Sequence, residues 1–290
     1  TDVTLDQLEE NFGTDLSNLV DGLTKIAGIT YSSRKEMQAG NFMKMLLSVA
    51  QDLRVIIIKF ADRLHNMETI RSMPQLKRHR IAIETRDVYI PLANRLGMSA
   101  VKLQLEDLVF SVLNPSGYKE IKEKITSTQK QRIKFIKTIT KPVEKELIKY
   151  NIDPMVYGRA KSYSSIYGKM LKRDKSFKEI YDLYAIRIVV DKIEQCYLSL
   201  GIVHSIYTPI QDRFKDFIAT PKSNGYQSIH TTVVGKYGQK LEIQIRTSKM
   251  EETAEIGVAA HWLYKNDTSS KIDKTPEQMT MSLFVFCLFE

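Results

Sequence analysis

Ser228–Thr247 reads SIHTTVVGKYGQKLEIQIRT, and its alternation decides the fold. In SIHTTVV, Ile229, Thr231 and Val233 share one face, while His230 and Thr232 share the other. In KLEIQIRT, Leu241, Ile243 and Ile245 oppose Glu242, Gln244 and Arg246. A period of two is that of a half-buried strand. The intervening GKYGQ carries the glycines of a turn, so the two runs form an antiparallel hairpin. Upstream, YAIRIVV (184–190) is an almost unbroken apolar run, as expected of a strand buried on both faces. EQCYLSLGIVHSIY reads as a helix, and KMEETAEIGVAAHWLYK closes the region with another. The class is α+β.

The first part of the chain has a different period. LDQLEENFG ends on Gly13, a helix stop, and SNLVDGLTKI and NFMKMLLSVAQDLRVIIIKFADRLHNMETI carry apolar residues at helical spacing. RHRIAIETRDVYIPLANRLG sets Ile81, Val88, Leu92 and Leu96 near one stripe, with Gly97 as its stop and Pro91 as a bend. From Tyr118, a lysine-rich stretch predicts one long charged helix or a helix pair, with Ile121, Ile125, Ile133 and Ile136 as its apolar stripe. The expected organisation is a helical domain over 1–115, a helical linker over 116–150, an α+β domain over 151–268 and a tail over 269–290. The tail turns from polar to the apolar MSLFVFCLF, which is too short to span a bilayer.

The 290 residues suffice for two domains with separate cores. A net charge of +9 favours polyanionic partners, without choosing among nucleotides, RNA and acidic membranes. Cys196 and Cys287 lie far apart without metal-ligand spacing, which points to a reducing compartment and no disulfide framework. No signal peptide or membrane-length apolar run occurs, so a cytoplasmic location with no membrane partner is expected. The chain begins at Thr1 rather than Met, so further residues are expected upstream.

Before the hairpin lies RFKDFIATPKSNGYQSIHTT (213–232), which gathers cations, an aspartate, a tyrosine and a histidine. Such a set suits a ligand that is both phosphorylated and aromatic. Asp182, at the entrance to the buried strand, and Glu242, on the polar hairpin face, suggest a Mg²⁺ site, since Mg²⁺ takes one or two carboxylates plus waters and substrate phosphates. Two surface salt bridges would use the same residues. GRAKSYSSIYGKMLKR adds Arg159 and Lys161, two apart in a loop, and Lys169 one helical stretch later. Cations converging on a polyphosphate neutralise charge that develops in phosphoryl transfer. There is no G-x-x-x-x-G-K-[ST] loop. A domain that holds nucleotides or RNA without turnover remains an alternative, weakened by the two carboxylates and by the lack of an RNA-binding motif.

YGRAKSYSSIYGKM, IYDLYAIRIVV, DRFKDFIATPKSNGYQSIHTTVVG, LEIQIRT and AEIGVAAHWLYK together resemble, in order and spacing, the synthetase domain of the long RelA/SpoT (Rel) enzymes of the bacterial stringent response. The resemblance implies a nucleotidyltransferase-like mixed sheet. It also implies transfer of the β,γ-pyrophosphate of ATP to the 3′-hydroxyl of GDP or GTP, giving (p)ppGpp. On that likeness Arg159, Lys161, Lys169 and Arg187 would hold ATP, with Arg159 and Lys169 also catalytic. Arg213, Lys215, Asp216, Lys222, Asn224, Tyr226 and His230 would hold the acceptor, with Tyr226 stacked on guanine. Asp182 and Glu242 would bind Mg²⁺, and Glu242 would also accept the 3′-hydroxyl proton. The basic form of RFKD (213–216) is similar to that of bifunctional members.

The likeness extends upstream through KFADRLHNMETI and YIPLANRLGM, implying an HD-type hydrolase domain that uses Mn²⁺ held by two histidines and two aspartates. Asp62 would be a ligand and Asn66, four residues on, would contact substrate. The five histidines are His65, His79, His204, His230 and His261, and none precedes Asp62. One aspartate cannot hold a transition metal tightly. The chain is therefore expected to carry a truncated HD domain without hydrolase activity. Mn²⁺ is expected only in a parent with the full site. Ribosome or tRNA contacts would come only through regulatory domains absent from the chain.

Overall fold

The structure is a computed structural model that describes residues 3–24, 40, 43, 44, 47, 48, 52–127, 129–173, 184–235 and 238–257. It forms two compact units, one reaching to Thr69 and one spanning Ile70–His261. Asp182, the apolar tail and the end of the closing helix lie outside the described residues.

In the first unit, α1 (Leu5–Phe12) is opened by a capping box at Thr4 and ends at Gly13, whose φ of 83° favours glycine. α2 (Thr14–Leu23) packs on α3 (Leu53–Glu68) through Gly22, where an added Cβ would lie 2.9 Å from a Val55 methyl. The apolar run that reads as helical across 41–70 is interrupted at Asp52. This residue is extended, and its carboxylate accepts the Arg54 N–H at 2.8 Å, starting α3 afresh. Val55, Ile56, Ile57, Phe60, Leu64 and Met67 are its buried positions.

The second unit opens with α4 (Gln75–Glu84), a π-helical turn (Thr85–Tyr89) and α5 (Ile90–Arg95). The widened turn lies just before Pro91, which has no N–H and whose ring crowds the carbonyl four residues back; the bend expected there is this turn. α6 (Ser99–Leu113), α7 (Pro115–Ser127) and α8 (Gln129–Lys149) follow, so the lysine-rich stretch is a helix pair. Ile121 is fully buried as expected, but Ile133 is 49% exposed. The inward residues of α8 are Ile139, Val143 and Leu147, one turn apart along one face.

A mixed six-stranded sheet follows, in the order β1-β2-β6-β5-β3 with β4 also on β5. The strands are β1 (Met155–Ala160), β2 (Tyr184–Val190), β3 (Thr208–Pro209), β4 (Lys215–Asp216), β5 (Ile229–Val234) and β6 (Lys240–Thr247). β2 and β6 are parallel and the other pairs antiparallel, including the β5–β6 hairpin. One face carries Ile186, Ile188, Ile229, Val233, Ile243 and Ile245 into a core shared with α8 and with α10 (Ile193–Ile206). Truncating one of these isoleucines to alanine typically costs about 2–5 kcal/mol.

Arg159 lies on β1, not in a loop. α9 (Tyr163–Arg173) then carries Lys169. Its first turn is fixed by Asp107 of α6, whose Oδ1 accepts the Ser164 N–H at 2.9 Å. Burial pushes the Asp107 carboxyl up, and the N–H groups of Ser164 and Tyr163 pull it down. α11 (Ser248–Ile256) crosses the sheet's polar face and ends at Gly257.

Candidate active site

Register aligns the polar face in two rows. Tyr157, Arg187, Gln244, His230 and Lys215 are successive partners across β1, β2, β6, β5 and β4. Arg159, Ala185, Glu242 and Thr232 form the adjacent row. The middle of this face is closed to water: Arg187 is 3% exposed, Gln244 9% and Arg246 0%. α11 covers it with Glu251 and Glu255, four residues apart on one helix face.

Arg213, Lys215, His230 and Glu242 line one cleft of about 310 Å³, together with Asp212 and Thr232. Lys161 reaches Glu242 Oε2 at 3.3 Å, and Gln244 Nε2 donates to Oε1 at 2.9 Å. Burial raises the Glu242 carboxyl, but Lys161, Gln244 and His230 outweigh it and leave the group below its usual range. It is therefore anionic at neutrality, which a metal ligand or a base requires. Such a carboxylate among lysine and arginine side chains fits Mg²⁺, which needs few protein ligands when a ligand's phosphates supply the rest.

Tyr226 and His230 form the aromatic part. Arg246 Nη2 donates to the Tyr226 hydroxyl at 3.0 Å, and that hydroxyl is 2.7 Å from His230 Nε2. A hydroxyl that accepts from the guanidinium keeps its own proton to give, and it can give it to Nε2 when the imidazole is the Nδ1–H tautomer. The imidazole proton then sits on Nδ1, 3.9 Å from Glu242 Oε1. Lys222 Nζ lies 4.6 Å from the Phe217 ring centre and 5.0 Å from that of Tyr226.

Burial drives the His230 imidazole down to about 4 from 6.5, with Arg246, Lys222 and Lys215 adding and Glu242 opposing. A native value below the unfolded one means that the unfolded chain binds more protons between the two. Stability therefore falls as pH drops through that window. His230 should cost the fold about 2 kcal/mol between pH 7 and pH 5. Urea unfolding at both pH values should show this loss, and His230→Gln should remove it; an unchanged pH dependence in the variant would refute a neutral, buried His230.

Other predicted residues lie elsewhere or are engaged. Arg187 Nη1 donates to Glu251 Oε1 and Glu255 Oε1, both at 2.5 Å. Arg159 Nη2 is 3.7 Å from Glu255 Oε1. Asp216 faces its own turn: Oδ1 accepts the N–H groups of Ile218 and Ala219, and Oδ2 the Tyr197 hydroxyl. Asn224 Nδ2 donates to the Asn94 carbonyl at 3.1 Å, and its Oδ1 accepts the Tyr226 N–H. Lys169 is half-buried on α9. Asp62 is exposed on α3, with Asn66 half-buried one turn on. Among the described residues no three His, Cys, Asp or Glu side chains cluster as a metal site, and no helix is long and apolar enough to cross a membrane.

Sequence reasoning passed over Arg246, Glu251, Glu255, Tyr157 and Gln244. The Glu251–Glu255 spacing and the alternation through Arg246 were the available signals. Arg187 Nε and Arg246 Nε are buried without a hydrogen-bond acceptor, and Arg246 Nη1 meets Glu251 Oε2 at 3.3 Å as an ion pair rather than a hydrogen bond.

Fold and site together define an α+β protein with a helical HD domain ahead of a mixed-sheet synthetase domain. The model of the region found in RelA/SpoT proteins matches residues 158–269, and an HD-domain model matches 1–99. The bifunctional (p)ppGpp synthase/hydrolase SpoT of Escherichia coli K12 is 43% identical over 98% of this chain and 41% of its own length. A probable guanosine-3′,5′-bis(diphosphate) 3′-pyrophosphohydrolase of Synechocystis is 44% identical over 97% of the chain and 37% of its own length. A GTP pyrophosphokinase of Myxococcus xanthus is 44% identical over 90% of the chain and 35% of its own. The chain thus spans about two fifths of the length of these curated relatives. It belongs to the RelA/SpoT family of enzymes.

Proposed function

We propose that this chain transfers the β,γ-pyrophosphate of ATP to the 3′-hydroxyl of GDP or GTP, forming the 3′-O–P bond as the bond between the α- and β-phosphates breaks and AMP leaves. The observation that carries the reading is the cleft in which anionic Glu242 stands among Arg213, Lys215 and His230, with Lys161 on its carboxylate. Tyr226, held by His230 and Arg246, offers its ring to guanine, and Lys215 and Lys222 meet the acceptor phosphates. Arg159, Lys161, Lys169 and Arg187 meet ATP. Asn224 acts on the acceptor by fixing the Lys222–Tyr226 loop, since both ends of its amide are bound to protein. Mg²⁺, held by Glu242 and Asp182 with the phosphates, would acidify the 3′-hydroxyl and neutralise charge on the moving group. Glu242 then takes the hydroxyl proton.

The test is incubation of the chain with γ-labelled ATP, GDP or GTP, and Mg²⁺. Labelled (p)ppGpp that disappears when either the acceptor or Mg²⁺ is omitted supports the reading. Its absence from folded chain would refute it and favour a non-catalytic nucleotide-binding domain. Hydrolysis is proposed only for a parent with the complete Mn²⁺ site, because of the hydrolase set this chain carries only Asp62 and Asn66. 3′-labelled ppGpp with Mn²⁺ should stay intact.

A further inference from the structure

Glu251 is the meeting point of the polar face. Its Oε1 accepts from Arg187 Nη1 at 2.5 Å and from the Tyr157 hydroxyl at 2.6 Å, and its Oε2 lies 3.3 Å from Arg246 Nη1. The other nitrogen of Arg246, Nη2, donates to the Tyr226 hydroxyl at 3.0 Å and to Gln244 Oε1 at 2.9 Å. One carboxylate therefore holds an arginine on the ATP side and another that sets the aromatic clamp on the acceptor side. The side chains of Arg187 and Arg246 are 4% and 0% exposed, so neither can exchange Glu251 for water. Glu255 has a narrower reach, to Arg187 and Arg159.

We infer that Glu251 is a positioning residue that fixes the donor and acceptor subsites in one frame, whereas Glu255 serves the donor side alone. Glu251 itself touches neither nucleotide. It acts because a planar guanidinium pinned at one edge presents its remaining N–H groups in a set direction. With the carboxylate gone, Arg187 and Arg246 turn towards other acceptors, and both subsites lose geometry at once. A glutamate that only stabilised the fold would not distinguish the two nucleotides.

This role rests on the pyrophosphate-transfer reading for its purpose, but binding tests it separately. Calorimetry of the whole chain with ATP alone and with GDP alone, beside the transfer assay, keeps the two apart. Glu251→Gln should weaken both nucleotides about tenfold. Glu255→Gln should weaken ATP similarly and leave GDP within twofold. In a Tyr226→Phe background, Glu251→Gln should have little further effect on GDP while its effect on ATP persists, because the path to the acceptor runs through the tyrosine hydroxyl. Arg246→Lys, with an intact Glu251, should weaken GDP alone, which keeps the inference testable if Glu251→Gln folds poorly.

Loss of ATP binding alone in Glu251→Gln, tighter ATP binding, or equal GDP effects with and without the Tyr226 hydroxyl would each overturn it. Wild-type chain that binds both nucleotides without transferring pyrophosphate would sink the functional reading and leave the positioning test standing.

Discussion

Replacing Glu242 by glutamine is expected to lower pyrophosphate transfer by about a thousandfold or more, with nucleotide binding and folding largely kept. The size follows from two losses at one position. A positioned base contributes roughly 10²–10⁴ in rate. The same substitution removes a negative ligand from the metal and so weakens electrostatic stabilisation of the transferring group. Glutamine keeps the size and can still accept the Gln244 amide proton, so the β6 neighbourhood should hold. The ion pair it removes, Lys161–Glu242 at 3.3 Å, is partly exposed at 17% and 29%. A pair of that kind contributes about 1 kcal/mol or less. The measurement is single-turnover transfer beside urea unfolding. A large rate loss with an unmoved unfolding midpoint assigns chemistry to Glu242. A rate within tenfold of wild type would remove it from the mechanism and leave the cleft as a binding site only.

Much of the sheet that carries this site is legible in the sequence. The alternation of Ile229, Thr231 and Val233 against His230 and Thr232 named both faces of β5, and the same holds for Leu241, Ile243 and Ile245 on β6. The legible part is the part whose burial is one-sided at the level of a single strand. β1 was missed because MVYGRA is a short edge strand with a glycine and an arginine, and nothing local separates it from a loop. β3 and β4, at two residues each, exist only through pairing with β5. The polar face of β6 reads as solvated, yet Arg246 is wholly buried, because α11 covers it and sets Glu251 against its guanidinium. Period gives the face; only tertiary packing says what lies on it. Ile133 fails for the same reason: it fits the helical stripe, but the sheet meets α8 along Ile139, Val143 and Leu147. The place of Asn224 and Asp216 in the motif does not show that Asp216 accepts the Ile218 and Ala219 N–H groups and the Tyr197 hydroxyl, or that Asn224 bridges the Asn94 carbonyl and the Tyr226 N–H.

Gly257→Ala is the substitution expected to damage the fold most for its size. Gly257 has φ of 60°, and a Cβ there would lie 2.2 Å from the Leu96 carbonyl oxygen, 2.5 Å from the Gly97 carbonyl carbon and 2.7 Å from the Met98 nitrogen. All three are backbone atoms of the α5–α6 turn, so no side chain can rotate away and the two segments must separate. Strain at positive φ costs about 1–2 kcal/mol and overpacking a further 1–3, giving about 2–5 kcal/mol in all. Gly238 is the control: its φ is 76°, with nothing within 4 Å of an added Cβ, so alanine there should cost only the backbone strain. The separation should also reach the site. A Cβ on Gly97 would sit 3.3 Å from both Gly257 Cα and the Asn224 carbonyl, so the turn, the end of α11 and the Lys222–Tyr226 loop are stacked on one another. Prising Gly257 from the turn should move Asn224 off the Asn94 carbonyl and loosen Tyr226. In Gly257→Ala the KM for GDP should therefore rise more than the KM for ATP, alongside a lowered unfolding midpoint. Equal midpoints for the two alanine variants would show that the α5–α6 turn is not packed on α11 as tightly as these distances require. A lowered midpoint with both KM values moved alike would break the link from the turn to the acceptor loop and leave Asn224 held by its own loop alone.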